Sequence, residues 1–206
     1  MTIYALSSGP GISGIAVIRI SGKETAQVIK SLTGLELPVP RTATLRKINN
    51  INTSELIDEG ILLWFPGPNS YTGDDLAEFQ VHGSNAVINA LLKALSEQDN
   101  CRLAEPGEFT KIAFQNDKID LLKAESIGDL IHAETELQRD QAVKLVQGNA
   151  SNYYNDLREK LIKSLSYIEA KIDFAEDDLP EKVLMEVQNS IKEIYKDIHK
   201  IIEDNK

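Results

Sequence analysis

Apolar residues recur with two different periods along this chain. The change from one period to the other divides it. Up to residue 118 they come in short alternating or continuous runs. From Asp120 onward they recur at steps of three and four. In the first part, TIYALSS reads as a strand. IAVIRIS (Ile15–Ser21) is dense in β-branched residues and reads as another. GKETAQVIKSLTG predicts a short amphipathic helix stopping at Gly34. PVPRTATLRKI predicts a loop entering a strand. GILLWF (Gly60–Phe65) predicts a buried strand, stopped by Pro66-Gly67-Pro68. LAEFQVH alternates, with Ala77, Phe79 and Val81 on one face and Glu78, Gln80 and His82 on the other. SNAVINALLKALSEQ predicts a helix capped by Ser84. CRLA predicts a strand, and EPGEFTKIAFQ a short helix just after Pro106. Beyond Asp120, positions 124, 127, 131, 150, 154, 157, 161, 165, 168 and 172 predict one buried stripe on a long helix. FAEDDLP (Phe174–Pro180) breaks it. A last helix carries Leu184, Val187, Ile191, Ile194, Ile198 and Ile201 and needs the long helix as its partner.

Composition sharpens this division. Ten of the 12 glycines precede residue 120, and Pro180 is the one proline after it, so a turn-rich part precedes a helical part. Apolar residues make up 42% of the 206 positions, enough to bury a core. The net charge of −10 argues against a broad nucleic-acid groove on this chain alone, because phosphate binding needs a surplus of Lys and Arg. Residues 1–118 are net −3 and residues 119–206 net −7. The lone cysteine, Cys101, cannot form an internal disulfide or a thiolate metal cluster. The start Met-Thr-Ile-Tyr lacks a basic leader, and no apolar run reaches the roughly 20 residues of a membrane span. The expected location is cytoplasmic.

The stretch GPGISG matches the dinucleotide pattern G-x-G-x-x-G. A dinucleotide loop must open a helix whose N-terminus holds the pyrophosphate, and here the glycines lead into a second strand. It is read as a glycine-rich β-turn. Arg19 shares a strand face with Ile15 and Val17. A guanidinium there must meet a carboxylate or reach a ligand. Glu78 either faces solvent or accepts N–H donors from a flat heterocycle edge. His82 ends the same face, without a second His at metal spacing, and no metal site is expected. QNDKIDL closes one helix and opens another, with Asp120 as N-cap. Lys118 therefore stands at a defined corner, where it binds an anion or is solvated. No Ser-His-Asp spacing and no G-x-x-x-x-G-K-[ST] run occurs, so no catalytic residue is assigned.

GISGIAVIRISG, PRTA, GILLWFPGPNSYTGDDLAEFQVHG, EPGEFTKIAFQNDKIDLLKAESIGDLIHA and IDFAEDD stand in order from Gly11 to Asp178. In these blocks the chain resembles the N-terminal part of the MnmE (TrmE) family of tRNA-modification GTPases. The resemblance implies an α+β fold. A mixed β-sheet folate-binding domain, similar to that of glycine-cleavage aminomethyltransferases, spans residues 1–118 and forms a homodimer. Residues 119–206 would be the first part of an all-helical domain, with the GTPase domain and C-terminal helices absent. The implied cofactor is 5-formyl- or 5,10-methylene-tetrahydrofolate, and the family's folate positions fall on Arg19, Glu78 and Lys118. GTP, Mg2+ and K+ belong to the absent GTPase domain. The implied partners are the FAD protein MnmG (GidA) and tRNA, whose wobble uridine U34 is modified at carbon 5.

Two positions depart from the family pattern. Ser84 stands where a third residue of HGG is usual, and Ile112 where Arg is usual. Cys101 does not match the family's C-terminal cysteine motif. This chain alone is expected not to hydrolyse GTP. Two other readings compete: a stand-alone folate-dependent aminomethyl or formyl transferase, and a dimeric scaffold that has lost its ligand. The first would need a general acid/base pair within residues 1–118, and none is evident.

Overall fold

The computed structural model describes residues 1–173 and 181–204. They form two compact units, Met1–Ala124 and Glu125–Lys206. The first carries a six-stranded mixed sheet. Its strands are β1 (Thr2–Leu6), β2 (Ser13–Ser21), β3 (Thr44–Asn49), β4 (Leu56–Phe65), β5 (Leu76–Gly83) and β6 (Cys101–Leu103). Their order across the sheet is β3-β4-β5-β2-β1-β6. All neighbours are antiparallel except β1 and β6. The α+β class read from the sequence is the observed one.

Strand alternation makes the sheet two-sided. Ile18 and Ile20 of β2, Leu62 and Trp64 of β4 and Phe79 of β5 point to one face and are buried. Two helices cover that face: α1 (Thr25–Thr33), through Val28, Ile29 and Leu32, and α2 (Asn85–Ser96), through Ile88, Leu91 and Leu95. Both helices end as their sequences predict. Gly34 closes α1 in the left-handed region at φ 66°, its N–H donating to Lys30 O at 2.8 Å. Ser84 Oγ accepts from Val87 N at 3.2 Å and caps α2. The Ser84 departure thus has a structural role. GPGISG links β1 to β2. No helix N-terminus stands behind it, which rules out a dinucleotide loop. The opposite sheet face stays largely open: Ile15, Leu45 and Ile61 are exposed on it.

In the second unit the sequence reading needs correcting. The single long helix expected from Asp120 is three helices: α4 (Leu121–His132), α5 (Glu136–Val146) and α6 (Asn149–Asp173); α3 (Glu108–Gln115) precedes them. Thr135 restarts the helix with a capping box shared with Gln138. Gly148, at φ 84°, ends α5. Both interruptions fall between positions 131 and 150, a gap in the apolar stripe that the sequence reading bridges with one helix. The expected break at Phe174–Pro180 lies outside the described residues. The last helix, α7 (Glu181–Asp204), does pair with α6. Leu157 and Ser164 meet Val187 and Ile194 along a seven-residue seam, with Ser164 Oγ bonded to Lys160 O at 2.8 Å. A two-helix pair buries only one line per helix, so Leu161, Leu165, Ile191 and Ile198 remain exposed. Leu161 and Ile198, with Tyr154, Ile162, Ile201 and Ile202, line an apolar groove of about 740 Å³.

Phe79 is fully buried at the centre of the first unit. Phe79→Ala should cost about 3–5 kcal/mol of its stability. Trp64, the one tryptophan, lies in the same core, so its fluorescence during urea unfolding reads this loss.

Candidate functional site

The open face of the sheet carries the polar side chains that the sequence singles out. β2 and β5 pair so that Arg19 lies directly opposite Glu78. Arg19 Nε and Nη2 both donate to Glu78 Oε1, at 3.0 and 2.7 Å. Both side chains are partly shielded, with 29% and 18% of their surface exposed. Of the two partners open to Arg19, the structure therefore supplies the carboxylate. The pair lies on the open face and not in the core. Two donors occupy Oε1, and Oε2 has no hydrogen bond among the described residues.

A loop from Pro66 to Asp75 joins β4 to β5 and frames this pair. Three consecutive residues in it tie it to the rest of the unit. The Tyr71 ring centroid lies 5.6 Å from the Arg19 guanidinium carbon. Thr72 is fully buried. Its Oγ1 meets Ser21 Oγ at 2.6 Å, and its carbonyl accepts from Asn116 Nδ2 at 2.7 Å. Gly73, at φ 86°, lies so close to the chain after α3 that a Cβ there would come 3.0 Å from Lys118 Cε. Lys118 is held from behind, its N–H donating to Ala113 O at 2.9 Å, while its side chain is exposed. Arg19 and Glu78 thus meet beside Tyr71, and Lys118 lies beside Gly73, two residues along the same loop.

Helix α3 forms the other wall. The Phe109 ring centroid lies 5.7 Å from the Arg19 guanidinium carbon, and Thr110 Oγ1 meets the Tyr71 hydroxyl at 3.0 Å. The first turn of α3 is fixed by Glu108, which accepts from Arg102 Nη1 at 2.9 Å and from Glu105 N at 2.8 Å. The Arg102 hydrogen bond holds the Glu108 carboxyl below its ordinary pKa, against the upward push of burial. Ile112 is half-buried on the same helix.

His82 does not join this group. Its ring Nδ1 lies 2.9 Å from Asp58 Oδ1, and its N–H donates to Asp58 Oδ2 at 2.8 Å. Burial would raise the Asp58 pKa, but these bonds outweigh it and lower it. Sequence reasoning singled out Arg19, Glu78 and Lys118 and passed over Tyr71, Phe109 and Asp58. Tyr71 lies in an aperiodic loop, Phe109 near the start of a short helix, and Asp58 near a strand end. Alternation marks none of them. Among the described residues, no cluster of three His, Cys, Asp or Glu side chains could hold a metal. Among the same residues, no helix is long and apolar enough to cross a membrane.

Comparison with known proteins covers both units. Residues 2–118 match the family model described as GTP-binding protein TrmE N-terminus, and residues 121–206 match that of the MnmE helical domain. Over 206 residues the chain is 64% identical to a tRNA modification GTPase MnmE of Pelagibacter ubique (strain HTCC1062); the match covers all of this chain and 46% of the relative. It is 46% identical over 206 residues to the mitochondrial 5-taurinomethyluridine-[tRNA] synthase subunit GTPB3 of Danio rerio, covering all of this chain and 41% of that protein. It is 43% identical over 205 residues to MnmE of Rickettsia typhi (strain ATCC VR-144 / Wilmington), covering 46% of it. The chain thus spans less than half the length of these relatives.

Because the folded pKa of Glu108 lies below its ordinary value, its contribution is full above the carboxylate range and fades as pH falls through the folded value. Glu108→Gln should therefore lower stability at neutral pH. The gap to the parent should narrow progressively as pH falls below the ordinary carboxylate range. Urea unfolding at a series of pH values measures it.

Proposed function

The chain belongs to the MnmE (TrmE) family, and on that premise we propose that residues 1–118 hold a one-carbon tetrahydrofolate and form a homodimer. Residues 119–206 contribute the first part of a helical domain. In the whole protein this portion serves a cytoplasmic GTPase that works with the FAD protein MnmG. Together they modify carbon 5 of the wobble uridine of certain tRNAs, with the folate supplying the carbon. Residues 1–206 contain no G-x-x-x-x-G-K-[ST] run, so this chain alone does not hydrolyse GTP.

The observation that carries this reading is the Arg19–Glu78 pair, whose Oε2 is left without a hydrogen bond among the described residues, with Lys118 beside Gly73 of the neighbouring loop. A reduced pterin presents N–H donors along one edge, which suits a carboxylate oxygen with free lone pairs. Its carbonyl oxygens and glutamate carboxylates suit cations, and Lys118 forms no ion pair among the described residues. Arg19 keeps Nη1 for a ligand oxygen while its other nitrogens orient Glu78. The fold around the pair is half-buried, which strengthens charge-assisted hydrogen bonds relative to open water. When bound, the folate supplies a one-carbon unit; the residues named here bind and orient it.

Glu78→Ala should abolish binding of 5-formyltetrahydrofolate in calorimetry, a loss of about ten-fold or more. Circular dichroism should show the fold intact. Glu78→Gln, which keeps the shape and removes the charge, should also bind weakly. Affinity unchanged in both variants would refute the assignment. Turnover of folate by the chain itself would favour the transferase reading.

A further inference from the structure

The Arg19 guanidinium has two aromatic neighbours from separate segments, Tyr71 of the β4–β5 loop and Phe109 of α3. Both rings lie within about 6 Å of the cation, the range of cation–π attraction. They are also tied to each other's elements, through Tyr71 Oη and Thr110 Oγ1 at 3.0 Å. The Arg19 side chain is 29% exposed, so an unrestrained guanidinium there could swing to solvent. It is instead aimed at one oxygen of Glu78, with two of its nitrogens on that oxygen.

We propose that Tyr71 and Phe109 are positioning residues that hold the Arg19 guanidinium on Glu78 Oε1, so that only Oε2 is presented to the ligand. The proposal rests on the reading of this face as the folate site. The rings act through Arg19 and do not stack on the ligand. In stability terms the Arg19–Glu78 pair is a weak cross-strand contact, and its consequence is directional. A carboxylate free to rotate would offer either oxygen, or both, to the pterin edge. Held by the fork of Arg19, it offers one acceptor in one orientation, and the ligand's N–H edge must match it.

The test uses two readouts on the 206-residue chain, the Arg19 Nε–H resonance in nitrogen-15 NMR and the affinity for 5-formyltetrahydrofolate. The resonance is assigned by its loss in Arg19→Lys. In the parent it should be sharp without ligand, because the ion pair already exists. Tyr71→Leu and Phe109→Leu keep apolar bulk but remove the ring. Each should broaden the resonance and weaken folate binding about three- to ten-fold. Tyr71→Phe keeps the ring and should restore most of both signals. A sharp, unshifted resonance in both leucine variants overturns the proposal. So does weakened folate binding with that resonance unchanged, which would place the rings on the ligand itself. A parent chain blind to folate would overturn the folate reading, while the resonance still decides whether the rings hold Arg19.

Discussion

The ion pair between Arg19 and Glu78 is the contact around which this half of the protein is arranged. It joins the two central strands of the sheet on the face opposite α1 and α2. As a stabilising contact it is worth little, about 1 kcal/mol or less for a pair this exposed. Its value is geometric. Two donors on a single oxygen hold Oε1 in place and leave Oε2 without a hydrogen bond among the described residues.

Four segments distant in sequence supply the setting. β2 provides the cation and β5 the carboxylate. The loop between β4 and β5 lays Tyr71, Thr72 and Gly73 along them, and α3 closes the far side with Phe109 and the turn that bears Lys118. The anchors are themselves anchored. Asn116 reaches back to the Thr72 carbonyl, and Arg102 pins Glu108 at the start of α3. The sheet is rigid because its other face is fully packed, so the open face can carry polar side chains without losing its shape.

Much of this was legible before any coordinates. Alternation in LAEFQVH separated Glu78 from Phe79, and those two residues do lie on opposite faces of β5. Ser84 and Gly34 mark helix ends because capping chemistry is local. The stripe of apolar residues did not count the helices: Thr135 and Gly148 interrupt the backbone between positions 131 and 150, a stretch that the stripe leaves blank. Nor could it find Tyr71 or Phe109. An aromatic in a loop or an opening helical turn takes its role from what the tertiary fold brings beside it, and no local pattern encodes that. The partner of Arg19 was open for the same reason, since pairing across β2 and β5 depends on a register set by distant turns.

The parallel pairing of β1 with β6 has a consequence for how the chain assembles. Thr2 is fully buried and bonded to Asn100, at the opposite end of the domain. A ribosome delivers β1 first, yet its outer edge stays unsatisfied until almost the whole sheet has emerged. The β1 edge therefore closes late, and a nascent strand left waiting there is where a stalled chain would first find the wrong neighbour.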